Sequence, residues 1–136
     1  MNKVDWEQFM IGAAKNNCID WLELALKEDR NIDLDRVWLI ACQVSSIETI
    51  QWFINRRFLR NVAYSMDNFY QIGLRQACTF GRCEVVKFLI TLDRSIGTVL
   101  HECIIISERE EYMDLVELLK KHLSEQSRNL IEIYNV

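Results

Sequence analysis

Apolar residues recur along this chain at the spacing of amphipathic helices. One helical face carries Phe9, Met10, Ala13 and Ala14, and another follows between residues 19 and 26. Strand-like alternation is limited to a short stretch at residues 131–134. The chain has no proline and four glycines, so it holds few of the residues that punctuate loops and hairpins. The pattern predicts an all-α fold.

One pattern of small and apolar residues occurs three times. Segments 13–26, 41–54 and 77–90 each hold a small pair, a gap and then an apolar run, at offsets of 28 (13 to 41) and 36 (41 to 77). Self-similarity at a period of about 20 to 50 residues predicts stacked units that share one core. A fourth unit is placed with its second helix at 114–119, although its first helix, near 99–107, departs from the pattern.

The third copy, ACTFGRCEVVKFLI, resembles the ankyrin repeat, in which two small residues precede a glycine and an acidic residue opens a second helix. Here these positions hold Gly81 and Glu84. The glycine suits a left-handed residue at the end of the first helix. Asn17 and Ser45 occupy its position in the other copies; asparagine tolerates that conformation and serine less so, which predicts a different turn at Ser45.

The resemblance implies an all-α solenoid of about four stacked antiparallel helix pairs, ankyrin-like, with reduced or missing β-hairpin fingers. The 28-residue offset between the first two copies leaves room only for a simple loop between units one and two. The aromatic stretch 55–71 is expected to hold an extra turn or short helix. No copy has the family's Thr-Pro-Leu-His opening. In style the chain is similar to short ankyrin-like proteins of large DNA viruses. We expect a single domain over 1–136, with units at approximately 5–32, 33–62, 67–97 and 98–123 and a tail at 124–136.

Composition narrows the classes of function. The net charge of -4 and pI near 5.2 argue against nucleic-acid binding, which favours a basic surface. We expect no membrane span, because apolar runs are short and interrupted by charge, and no signal peptide, because charges occur among the first ten residues. Five cysteines without a secretory signal indicate free thiols in a reducing compartment. The expected location is the cytoplasm, the host's if the protein is viral.

The sequence announces no catalytic, cofactor or metal site. The four glycines are too scattered for a phosphate-binding loop. His101 and Cys103 could in principle form a nucleophile pair, yet residues two apart on a helix point in different directions. Cys78 and Cys83 could join those two as metal ligands, although the spacing is not that of a tight zinc site. Buried structural cysteines are the favoured interpretation.

The expected binding surface follows from the resemblance, because ankyrin-like stacks expose their first helices and linkers on the concave side. Tryptophan, tyrosine and arginine often dominate interfaces. Alternatively, Trp6 staples the first helix and Tyr70 fills a seam between units. Repeat positions predict that Trp21, Trp38 and Trp52 are core. The candidate partner-binding residues are Trp6, Asp35, Arg36, Asn68, Tyr70, Arg75 and Phe80.

A basic cluster stands out in this acidic chain at Arg56, Arg57 and Arg60. Cations near the C-terminus of a helix ending at Ile54 would complement its dipole. The alternative is a clamp for an acidic partner segment. The helix-end interpretation is favoured.

Together these features predict a non-enzymatic protein–protein interaction module. In a viral or effector setting it would sequester, or compete for, a host regulatory protein, because the chain has no room for an appended recruitment domain. The alternative is a self-associating structural protein, a homodimer, if the apolar part of the tail does not fold over the last unit. An enzyme ranks third, for want of a motif.

Overall fold

The computed structural model describes residues 4–60, 66–92 and 97–134. Every regular element within these ranges is an α-helix, as the sequence predicts. Asp5 and Asp33 cap the first and third helices by accepting hydrogen bonds from backbone N–H groups of their first turns. The helices are α1 (Trp6–Lys15), α2 (Ile19–Glu28), α3 (Leu34–Val44), α4 (Ile47–Arg60), α5 (Met66–Thr79), α6 (Cys83–Leu92), α7 (Gly97–Arg109) and α8 (Met113–Tyr134).

The helices pack in two rows. The odd-numbered helices contact one another in chain order, α1 with α3, α3 with α5 and α5 with α7. Each also contacts the even-numbered helix that follows it. Contacts between α4 and α6 and between α6 and α8 are sparser. The main core therefore lies along the odd row and between this row and the even helices.

The same turn closes α1, α5 and α7. The backbone N–H groups of Cys18, Arg82 and Tyr112 each donate to a carbonyl five residues earlier, at 2.8 to 2.9 Å. The residue before each donor has positive φ: Asn17 at 54°, Gly81 at 65° and Glu111 at 62°. This is the Schellman closure of a helix C-terminus. The fourth pair shares this turn, although its sequence departs from the repeat.

Glycine at the second of these turns meets two requirements. Its φ of 65° is one that other residues adopt at a cost. In addition, a Cβ at Gly81 would lie 2.8 Å from the ring of Tyr112, the residue that closes the next turn. Tyr112 can therefore pack against the preceding turn only because residue 81 has no side chain.

The turn between α3 and α4 differs, as the serine there predicts. Ser45 is extended, with φ -84° and ψ 158°, and its hydroxyl donates to the carbonyl of Ala14 at 2.8 Å. The side-chain oxygen of Asn17 accepts from the backbone N–H of Ser46 at 2.7 Å and from the hydroxyl of Thr49 at 3.1 Å. The turn between α1 and α2 therefore caps the start of α4 through the side chain of Asn17. From the other side, Arg82 donates to the carbonyls of Ala41 and Cys42 at the end of α3.

Replacing Glu111 with glycine is expected to raise the free energy of unfolding by about 1 kcal/mol, because Glu111 is held at a φ that costs a residue with a Cβ roughly that amount. Urea unfolding would measure it. Glu111→Gln, which removes only the charge, should change little. Glu110→Gly, one position earlier, should be neutral or destabilising, and a stabilisation equal to that of Glu111→Gly would argue against the backbone explanation.

Two boundaries differ from the expectation. Helix α4 continues to Arg60 and α5 begins at Met66, so most of the stretch expected to hold an extra turn belongs to these two helices, and residues 61–65 lie outside the described residues. The tail expected from residue 124 continues α8 to Tyr134. The connection between α2 and α3 is a simple loop at residues 29–33, as expected from the first spacing.

The small pairs of the repeat occupy the centre of the odd row. Ala13, Ala41 and Ala77 are all fully buried, and their size lets adjacent helices approach closely. Among the described residues, the largest fully buried side chain is that of Trp38. Its indole N–H donates to the carbonyl of Phe69 at 2.9 Å, and its ring stacks on that of Phe69 at 4.2 Å. Trp38 thereby ties α3 to α5.

Candidate interaction surface

Contacts between the odd helices show that they run in the same direction. At their N-terminal ends, Arg36 of α3 lies 3.6 Å from Glu7 of α1. At their C-terminal ends, Ser45 bonds to Ala14 and the amide of Gln43 donates to that of Gln76 at 2.9 Å. The N-terminal ends of α1, α3 and α5 therefore lie side by side at one end of the molecule.

The structure brings together part of the predicted binding set. Trp6, Asp35 and Tyr70, which are half-buried, and Arg36 and Asn68, which are exposed, lie at the N-terminal ends of α1, α3 and α5. Arg75 lies midway along α5 and is also half-buried. Phe80, 50% exposed, lies in the turn at the far end of α5, about 18 Å from Asn68 at the rise of an α-helix. The seven residues thus do not form one compact patch.

Both predicted arginines bind neighbouring helices. The guanidinium of Arg36 pairs with Glu7, and that of Arg75 donates to Glu102 of α7 at 3.0 Å. Exposed ion pairs of this kind contribute only about 0.2 to 1 kcal/mol. The Arg36 side chain is still 70% exposed, so it can reach a partner while it tethers α3 to α1.

A third ion pair joins the even helices α2 and α4. The carboxylate of Glu23 accepts from Arg56 and, at 2.7 Å, from the indole N–H of Trp52, while Arg56 lies over the Trp52 ring. The hydrogen bond from Arg56 is the main reason that the pKa of Glu23 is lowered. The expected helix end at Ile54 is wrong, because α4 continues to Arg60, and Arg56 binds Glu23 of the preceding pair.

The prediction that Trp21 belongs to the core is wrong, whereas Trp38 and Trp52 are buried as predicted. Trp21 is 51% exposed and contacts Phe9 at 5.5 Å between ring centres. Phe9 in turn meets Trp6 edge-to-face at 5.3 Å. These three rings line one side of the α1–α2 pair.

The repeat explains why Trp21 is exposed. The offsets of 28 and 36 residues make Thr49 and Val85 its equivalents in the second and third pairs. Aligning the Schellman turn of the fourth pair with that of the third makes Leu115 its equivalent in the fourth. All three are buried, and Thr49 bonds to Asn17 of the preceding pair. The position thus faces the preceding pair, and no described pair precedes α1–α2.

Leu24 also lies at a repeat position that later pairs cover, and it is 40% exposed. Its equivalents are Trp52, Phe88 and Leu118, which are buried or pack against the core. We call the surface formed by Trp6, Phe9, Trp21 and Leu24 the end face. Sequence reasoning selected only Trp6 from it; the signal for the rest was their position in the repeat, since no described pair precedes α1–α2.

The cysteine and histidine residues considered for catalysis or metal binding do not form one site. Cys78 and Cys103 contact one another, buried between α5 and α7, whereas His101 is exposed. The hydrogen bond with Cys78 and burial raise the pKa of the Cys103 thiol, and burial raises that of Cys42, so neither thiol is activated as a nucleophile. In the part of the chain that the structure describes, no three metal-ligating side chains come together.

A shallow groove of about 350 Å³ lies between α6 and α8. Ile90 and Leu118 contribute apolar surface, and Lys87, Lys121 and Glu125 contribute charges of both signs. Lys87 also lies 3.6 Å from Glu84. The charges nearly cancel, so the groove favours neither an anion nor a cation.

Among the described helices, none combines the length and apolar character required to cross a membrane. Comparison of the chain with known protein families, curated proteins and solved structures finds no match. The basis for a functional proposal is therefore the geometry of the chain itself.

Proposed function

We propose that this protein is a non-enzymatic protein–protein interaction module, built as an ankyrin-like stack of four helix pairs. The observation that carries the proposal is the repeated Schellman turn at Asn17, Gly81 and Glu111, combined with the chain-order packing of the odd helices. Stacked repeats of this kind create extended concave surfaces, which such proteins use for binding.

The proposed docking surface is the aligned N-terminal ends of α1, α3 and α5. Arg36 presents an exposed guanidinium at this end of the molecule, which also holds the half-buried aromatic side chains of Trp6 and Tyr70. Arginine, tryptophan and tyrosine are the residue types most common among interface hot spots. In a viral or effector setting, the module would act by sequestering a host regulatory protein in the cytoplasm or by competing for it.

The test exchanges the two members of an ion pair. Glu7→Arg combined with Arg36→Glu keeps a pair between α1 and α3 but inverts the charge offered to a partner. The matched control is Glu84→Lys combined with Lys87→Glu, an exposed pair at the same 3.6 Å distance on α6. Affinity capture from lysate, quantified by mass spectrometry, should recover a partner with the parent and the control but lose it with the exchanged α1–α3 pair.

Equal recovery by all three proteins would remove this surface from the proposal. Circular dichroism of each variant establishes that the helices are retained, so that a loss of capture is not a loss of folding.

A second candidate function is self-association as a structural homodimer. The specific observation in its favour is the exposure of Trp21 and Leu24 at positions that every later pair covers. Analytical ultracentrifugation over a range of concentrations tests it, because a homodimer dissociates on dilution and a monomer shows a constant mass.

A further inference from the structure

The end face has the composition of an interface between helix pairs. Its equivalents in the second pair, Leu34, Val37, Thr49 and Trp52, are all buried, and two of them, Thr49 and Trp52, bond to residues of the pair before them. In the first pair the same positions hold three aromatic rings and a leucine, and two of these side chains are about half exposed. The interface that joins successive pairs thus continues onto an uncovered surface.

The opposite end of the molecule presents polar groups around an exposed apolar residue, Ile105 of α7. Glu7 and Ala14 of α1 contact the next pair. The equivalent positions of α7 hold His101 and Glu108. Both are exposed, and Glu108 lies 3.5 Å from Lys120. Polar terminal surfaces are what capping units of a stack require. A head-to-tail contact between two copies would bury these polar groups against aromatic rings, at the cost of desolvating them.

The apolar end of one copy therefore suits the apolar end of another. A contact of a surface with its own copy is isologous and has twofold symmetry, which closes the assembly at two chains. The charges of α2 fit this symmetry. Asp20 and Lys27 are exposed on either side of Leu24, and no ion pair joins either of them to another described residue.

We infer that the end face is a homodimer interface in which the α2 helices of two copies cross antiparallel, with Leu24 near the twofold axis. An antiparallel crossing centred between residues 23 and 24 places Asp20 of each copy opposite Lys27 of the other. Trp21 of each copy then covers the apolar surface beside the axis. The inference rests on the second proposed function, self-association, and assigns the surface and the register.

The first experiment measures the dimer association constant by sedimentation equilibrium on the full chain. Leu24→Glu places a carboxylate near the axis in both copies and is expected to weaken the dimer about 30-fold or more, the loss typical of a central interface residue. Ile105→Glu, at the exposed apolar position between His101 and Glu108 on α7, is the matched control and should leave the association constant unchanged, whereas weakening by this variant would indicate a head-to-tail contact and overturn the twofold interface. Circular dichroism checks that both variants remain helical.

The second experiment tests the register. Asp20→Lys alone and Lys27→Asp alone each oppose like charges across the axis and should weaken the dimer about tenfold at low salt. The double variant Asp20→Lys, Lys27→Asp restores opposite charges in the same geometry and should recover association. A folding defect would not be repaired by the second change.

The outcomes separate the surface from the function. A monomer at every concentration overturns both self-association and this interface. A dimer that Leu24→Glu leaves intact overturns the end face but not self-association. Weakening by Leu24→Glu without rescue by the double charge exchange overturns the antiparallel register.

Discussion

Replacing Gly73 with alanine is expected to lower the free energy of unfolding by about 2 kcal/mol. A Cβ at this position of α5 would lie 2.5 Å from Cζ2 and 3.0 Å from Cε2 of Trp38. The indole cannot move away easily, because it is fully buried, bonded to the carbonyl of Phe69 and stacked on its ring. Overpacking usually costs about 1 to 3 kcal/mol, and this contact belongs at the upper end, offset by about 1 kcal/mol of helix propensity.

Gly12 of α1 provides the matched control. A Cβ added there meets no atom within 4 Å, so Gly12→Ala should stabilise the protein by up to about 1 kcal/mol through helix propensity alone. Urea unfolding followed by circular dichroism measures both variants. A Gly73→Ala variant as stable as Gly12→Ala would show that α3 and α5 are not packed against each other through Trp38 as described.

A double variant identifies the clash itself. Trp38→Phe destabilises the protein, because it leaves a cavity and removes the hydrogen bond to Phe69. It also removes the indole atoms that a Cβ at residue 73 would meet. The costs of Gly73→Ala and Trp38→Phe should therefore combine to less than their sum, by about 1 kcal/mol or more. Additive costs would mean that the alanine acts elsewhere.

The repeat in the sequence predicted the all-α fold and the centre of its core. Ala13, Ala41 and Ala77 were aligned by pattern, and all three are fully buried where odd helices meet. Small residues and apolar runs at fixed offsets can be recognised within each short segment, because the corresponding helix of every pair buries the same apolar face. That the turn at Ser45 differs from the others was predicted for a similar reason, because the conformational preference of one residue decides it.

Features that depend on neighbours could not be predicted in this way. Arg36 was selected as a partner contact, but its carboxylate partner is 29 residues away, on another helix. Trp21 was assigned to the core because its equivalents are core positions. The repeat identifies which positions face the preceding pair, but no described pair precedes α1–α2 to cover Trp21. The error at Trp21 thus came from extending the burial of the later pairs to the first described pair.

Asn17→Ala is expected to lower the free energy of unfolding by about 2 to 3 kcal/mol, because this residue does two things at once. Its backbone has a φ of 54°, which costs alanine about 1 kcal/mol more than asparagine or glycine. Its side-chain oxygen accepts from the backbone N–H of Ser46 and the hydroxyl of Thr49, and each lost hydrogen bond costs about 1 kcal/mol. Thr49 is buried, so water cannot readily replace its lost partner.

Two further substitutions separate these contributions. Asn17→Gly keeps the left-handed conformation but loses the acceptor, so it should recover only the backbone part, about 1 kcal/mol. Asn17→Asp keeps an acceptor and places a carboxylate near the N-terminus of α4, where the helix dipole favours it, so it should be close to the parent. Asn16→Ala is the matched control: its amide bonds only to the carbonyl of Gly12 on the exposed surface, and the expected change is below about 0.5 kcal/mol.

The order of these variants tests whether the turns of adjacent pairs are joined. If the side chain of Asn17 caps α4, the order of stability in urea must be Asp above Gly above Ala. If the turn at Asn17 requires only a left-handed residue, the glycine variant will be at least as stable as the aspartate variant. In that case the turn between α1 and α2 does not stabilise the turn between α3 and α4. That result would also weaken the end-face argument, because the contact between Asn17 and Thr49 is what shows that position 49, the equivalent of Trp21, faces the preceding pair.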